Sequence, residues 1–102
     1  MDLKSYIAKG IEQEGTLTAL AEKIGVIRET LTAANGGRRG LPPVACGKLA
    51  DLLALDRWDV VAASEILTEK DEEKRRYLLP FVLATAQNVM TRTARNVSNS
   101  IL

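Results

Sequence analysis

The side chains of this chain best suited to chemistry are arginines. Arg28, Arg38 and Arg39 lie in a twelve-residue stretch with a single acid, Glu29, whereas acids and bases are mixed elsewhere. A guanidinium is a permanent cation with a rigid fork of N–H donors, suited to binding anions and planar acceptors rather than to making bonds. The net charge of +1 hides this bias, because local placement decides what a surface attracts. Groups for covalent chemistry are scarce. There is no histidine, which removes the commonest general base and metal ligand. Cys46 is the only cysteine, so an intrachain disulfide and a cysteine-rich metal site are excluded, and it reads as a small helix residue without redox function. Neither a phosphate-binding glycine loop nor a nucleophile–base pair is present. The expectation is a protein that is not an enzyme and takes no cofactor and no metal.

Helices must position these arginines. With 102 residues, 46% of them hydrophobic, the chain suits one domain with an appended element. Strand alternation is nearly absent, whereas apolar residues recur three and four apart. A first helix is expected over Asp2–Glu14, with Leu3, Tyr6, Ile7 and Ile11 on one face and Gly15 as its stop. Thr16 can cap a second, with Leu17, Leu20, Ala21 and Ile24 inward and Gly25 at its end. A third is expected from Ile27 to Asn35, burying Ile27, Leu31 and Ala34, and stopped by Asn35-Gly36-Gly37. After a short basic loop, Pro42-Pro43 starts a fourth, with Ala45, Leu49, Leu52 and Leu53 inward. Asp56 can cap a fifth from Arg57 to about Leu67, with Trp58, Val61, Ala62 and Ile66 inward.

The remainder differs in character. Thr68 can cap a longer helix that opens on the charge run Glu69–Arg76, with Asp71–Arg75 and Glu72–Arg76 as acid-before-base pairs. Pro80 is expected to interrupt or kink it. Leu79, Val82, Leu83, Ala86, Val89 and Met90 then make an apolar stripe, continued by Thr93 and Val97, that suits a dimer contact or packing on the bundle. Met1–Lys9 does not read as a signal peptide, and the longest apolar stretch, Leu78–Ala84, is broken by proline and far short of the ~20 residues a spanning helix needs. A cytoplasmic protein without membrane contact is expected.

The segment Ala21-Glu-Lys-Ile-Gly25-Val26, followed by Arg28-Glu29-Thr30-Leu31-Thr32 and Gly37-Arg38-Arg39, resembles the helix-turn-helix of the lambda-repressor-like (Cro/CI, or XRE) regulators. A small residue, Ala21, allows close helix approach, Gly25 turns the corner, and Val26 and Leu31 pin turn and second helix to the core. The resemblance extends over about Leu3–Leu67. The opening Met-Asp-Leu-x-x-Tyr-Ile and Gly40-Leu41-Pro42-x-x-x-Cys46 are most similar to small phage or prophage members.

The resemblance implies an all-α protein: a five-helix lambda-repressor-like bundle over residues 1–67 and a C-terminal helical extension over 68–102. It implies a dimeric regulator of transcription, a repressor, that binds double-stranded DNA in a sequence-specific way. Arg28, Glu29, Thr32 and Ala33 then fall where bases are read, and Thr16, Thr30, Arg38, Arg39 and Lys48 where phosphates are held. Two positions depart from the family pattern: Leu17 stands where glutamine is common, and Ile27 where a hydroxyl residue usually caps the recognition helix. Blander readings stand beside these. Arg28 with Glu29 fits a surface ion pair, Arg38-Arg39 a solvated loop, and Trp58 the core. The alternative function is an antitoxin-like module whose C-terminal helix engages a partner protein.

Overall fold

The computed structural model describes residues 1–82, and these residues form six helices and no strand. The helices are α1 (Leu3–Glu14), α2 (Leu17–Ile24), α3 (Arg28–Asn35), α4 (Pro43–Leu52), α5 (Arg57–Glu65) and α6 (Glu72–Val82).

Local chemistry accounts for most of the helix ends. Asp2 caps α1, its Oδ1 accepting from the Ser5 amide at 2.9 Å and the Ser5 hydroxyl at 2.7 Å. Thr16 caps α2, its Oγ1 accepting from the Ala19 amide at 3.0 Å. Asp56 caps α5, its Oδ1 accepting from the Trp58 amide at 2.8 Å. Pro43 occupies the first turn of α4, where its missing N–H costs nothing. The end of α4 is less expected. Ala54 adopts φ 56°, and the amides of Ala54 and Leu55 turn back to the carbonyls of Asp51 and Ala50 at 3.2 and 2.8 Å. This is a Schellman closure carried by an alanine in the position that favours glycine.

One core joins α1 to α5. Leu3 and Ile7 of α1, Leu20 and Ile24 of α2, Leu31 and Ala34 of α3, Leu49 and Ala50 of α4, and Val60 and Ala63 of α5 are all buried in it. A second, smaller cluster of Ala62, Ile66 and Leu78 docks α6 against α5. Val82 packs against both clusters, and its carbonyl accepts from the Met1 amino group.

Three expectations are corrected. Trp58 is not core: it is 40% exposed and meets Tyr77 and Phe81 edge-on, at centroid distances of 6.5 and 5.6 Å. The buried face of α5 carries Asp59, Val60, Ala62, Ala63 and Ser64, because α5 is enclosed by neighbouring helices and Trp58 falls on the outer seam with α6. Ile27 is 66% exposed. It precedes α3 in an extended conformation, outside the helical period that buries Leu31 and Ala34, and half-buried Val26 covers the core instead. Thr68 caps nothing. α5 ends at Glu65, the chain turns through 66–68, and Asp71 caps α6 by accepting from the Lys74 amide at 3.1 Å. Pro80 stands inside α6, which is described to Val82, and the expected interruption or kink falls at the edge of the described residues.

Of the charge pairs foreseen on α6, Glu72–Arg76 forms at 3.7 Å, while Arg75 turns instead to backbone carbonyls of Ile66 and Glu69. Among the stripe residues, Leu79 is exposed and Val82 is partly buried; Leu83, Ala86, Val89 and Met90, with Thr93 and Val97, lie outside the described residues.

Candidate nucleic-acid interface

The arginine-bearing surface is organised around α3. The short connection from α2 holds it in place: Gly25 adopts φ 79°, and the amides of Gly25 and Val26 both return to the Ala21 carbonyl, at 2.9 and 3.0 Å. Any Cβ at that φ is strained, so the corner is suited to glycine. Leu31 and Ala34, fully buried, then fix the rotation of α3 about its axis. The opposite side of the helix presents Arg28, Glu29 and Thr32 to solvent, with Thr30 and Ala33 half-buried on its flanks.

These side chains are differently prepared. Among the described residues no ion pair joins Arg28 to Glu29, and neither makes one elsewhere. The guanidinium fork of Arg28 is therefore open to an outside acceptor. Thr32 donates its hydroxyl proton to the Arg28 carbonyl at 2.9 Å, which leaves it an acceptor and a methyl group for any outside contact. Thr16 is the reverse case. Its oxygen already accepts from Ala19, so its proton remains to be donated.

The cations foreseen outside α3 converge on its two ends. Lys48 projects from α4 toward the α2–α3 corner, its Nζ 3.3 Å from where a Gly25 Cβ would stand. The guanidinium carbon of Arg38 lies 3.7 Å from the Cβ position of Gly36, against the C-terminal end of α3. That end is closed by a Schellman pair, Arg38 N–H to the Ala33 carbonyl and Gly37 N–H to the Ala34 carbonyl, both at 3.0 Å. Arg39 is exposed in the loop that follows. Beyond Lys48, a shallow depression of about 390 Å³ is lined by Pro43, Val44, Gly47, Lys48, Asp51 and Arg57. Arg57 closes a bidentate pair on Asp51 at 2.9 and 2.8 Å, and its hydrogen bonds hold the Asp51 carboxyl below the usual carboxylate range.

Three features of this surface were not foreseen from sequence. Ile27, immediately before Arg28, and Val44, at the start of α4, are exposed apolar side chains, at 66% and 70%. An aliphatic residue at a position that favours a hydroxyl cap is the only sequence signal for the first. The third is Ser64 of α5, whose hydroxyl accepts from the Leu41 amide at 2.7 Å and donates to the Leu41 carbonyl at 3.1 Å. Its partner lies 23 residues away, and no local pattern marks such a pairing.

Cys46 is buried, its Sγ 3.5 Å from the same Leu41 carbonyl, and burial pushes the thiol pKa upward. Among the described residues no group of histidine, cysteine and carboxylate side chains comes together to hold a metal, and no helix is long and apolar enough to cross a membrane. Comparison with protein-family models, curated proteins and solved structures gives no match for this chain.

Proposed function

We propose that this chain is a sequence-specific, double-stranded DNA-binding regulator of the lambda-repressor-like helix-turn-helix kind, a phage- or prophage-type repressor acting as a homodimer in the cytoplasm. The observation that carries the reading is the two-sidedness of α3. Leu31 and Ala34 are completely buried, while Arg28, Glu29 and Thr32 stand together on the open side beside a glycine corner.

On this reading α3 enters a major groove about 12 Å wide. Arg28 pairs with a guanine edge through two parallel hydrogen bonds, a contact worth about 1–3 kcal/mol of discrimination. Glu29 accepts from a cytosine amine, Thr32 accepts a base donor, and Ala33 touches a thymine methyl. Thr16, Thr30, Arg38, Arg39 and Lys48 neutralise or hydrogen-bond phosphates and set the register. Two-fold pairing of copies through the α6 region places two α3 helices one DNA turn apart.

A second reading, a protein-binding module of antitoxin type, is favoured by one observation. Trp58, Tyr77 and Leu79 expose apolar surface on the α5–α6 side, at 40%, 67% and 41%. That surface suits a protein better than a polyanion.

Fluorescence anisotropy with the chain's own upstream duplex and a scrambled control, across a salt series, tests the choice. Preferential, steeply salt-dependent binding that Arg28→Ala reduces to the control level supports the regulator. Equal, weak binding to both duplexes removes it and leaves the protein-binding module.

A further inference from the structure

The loop that carries Arg38 and Arg39 is short, glycine-rich and exposed, a composition that ordinarily leaves a loop loose. Here it is pinned at both ends. At its entry, the Arg38 amide is bonded to the Ala33 carbonyl and the Gly37 amide to the Ala34 carbonyl, so Arg38 leaves α3 on a fixed path. At its exit, the Ser64 hydroxyl holds both backbone groups of Leu41. Only Arg39 and Gly40 lie between the two anchors.

The exit anchor is a tight fit. Ser64 is 1% exposed and Leu41 is 4% exposed, so water does not compete for these bonds. A Cβ on Gly40 would stand 2.5 Å from Ser64 Oγ and 2.8 Å from the Ser64 carbonyl oxygen, inside contact distance of backbone that cannot yield cheaply. Gly40 is thus the residue that lets the loop approach α5. The Leu41 carbonyl also accepts from Cys46 Sγ at 3.5 Å.

We infer that Ser64 is a positioning residue for DNA binding: its hydroxyl, by gripping Leu41 from α5, holds the Arg38–Arg39 loop in place for phosphate contact. The inference rests on the regulator reading above. Preorganisation is the physical gain. Arginines on a fixed loop give up less conformational freedom on meeting a phosphate than arginines on a free one. Ser64 touches no nucleic acid itself, and its whole effect runs through the two arginines.

Two measurements on the full chain test this, one without DNA. Trypsin cuts after arginine, and loop tips are the preferred sites of nicking. The pinned loop resists cleavage after Arg38 and Arg39; Ser64→Ala, and Ser64→Cys, which keeps the site filled, are cut there several-fold faster. Unchanged cleavage in a folded variant overturns the anchor. The second measurement is a double-mutant cycle by anisotropy on the upstream duplex, with salt varied. In the wild-type background, Ser64→Cys lowers affinity on the order of threefold to tenfold. In an Arg38→Ala/Arg39→Ala background the same change has no further effect. An equal loss in both backgrounds shows a merely structural serine and overturns the inference while the regulator reading stands. Absence of salt-dependent binding by the wild-type chain overturns the regulator reading and the positioning role together, and the trypsin result then stands alone as a fact of the fold.

Discussion

The guanidinium of Arg75 reaches back from α6 to the end of α5, where Nη1 donates to the Ile66 carbonyl at 2.6 Å and to the Glu69 carbonyl at 3.2 Å. Carbonyls at a helix C-terminus lack intrahelical donors and carry the negative end of the helix dipole, so a cation suits them. Arg75→Ala is expected to cost about 1–2 kcal/mol, toward the lower end for a charged hydrogen bond because the site is partly open. A shift of the urea midpoint at constant m-value measures it. A loss below a few tenths of a kcal/mol shows that the apolar contacts of Leu78 hold α6 without Arg75.

Ala54 is the described non-glycine residue with a positive φ, at 56°. A Cβ in the left-handed region costs about 1–2 kcal/mol, and glycine returns part of that as chain entropy in the unfolded state. Ala54→Gly is therefore expected to stabilise the protein by about 0.5–1 kcal/mol, read as a rise in melting temperature. A fall indicates that the closure of α4 tolerates alanine without strain.

The Asp2 carboxylate is held below its ordinary range, first by the Ser5 hydroxyl and then by the Ser5 amide. A lowered folded value means that the unfolded chain binds the proton more readily. The stabilisation is complete above the ordinary value of about 3.9 and is lost as pH falls through the lowered one. Asp2 is exposed, so Asp2→Ala is expected to cost about 0.5–1 kcal/mol at neutral pH, the lower part of the capping range. Unfolding curves of the two proteins should converge as pH approaches 2. A gap that persists there assigns the effect to something other than the charge.

Trp58, the only tryptophan, sits 40% exposed in an aromatic cluster with Tyr77 and Phe81. Its emission should be intermediate in wavelength and quenched by acrylamide in the native state. Tyr77→Ala should increase the quenching without unfolding the bundle, since Tyr77 is itself 67% exposed. Blue-shifted, unquenchable emission contradicts this placement.

On the regulator reading, the arginines divide by role. Arg28→Ala is expected to remove about 1–3 kcal/mol of discrimination between duplexes. Arg39→Ala is expected to weaken binding to all duplexes alike and to reduce the salt slope by about 1. Anisotropy on the upstream and scrambled duplexes separates the two. An Arg28 variant that keeps full preference assigns base reading to other residues.

Much of the fold was legible because its signals are local. Asp2, Thr16 and Asp56 bond to amides within three residues, Gly25 ends α2 in the left-handed region, and Pro43 opens α4, so sequence neighbours suffice to place those boundaries. The two-sidedness of α3 was also legible, because Leu31 and Ala34 stand three apart and share a face. Outside the helical period the signal stopped. Ile27 read as buried because it extends the apolar spacing, yet it lies before α3 begins, and Thr68 was outcompeted as a cap by Asp71.

Sequence alone determined the turns that close α1 and α2 and the apolar sides of α1, α2 and, over Leu31 and Ala34, α3, since these follow from interactions among residues a few positions apart. The tertiary structure decided which apolar faces find partners. Trp58 lies on a helix enclosed elsewhere, so it pairs with aromatics of α6 at the surface rather than entering the core. It also decided that Lys48 reaches the Gly25 corner from α4 and that Ser64 grips Leu41 from α5. The last two each join residues 23 positions apart, contacts that exist only once the packing of whole helices has brought the backbones together.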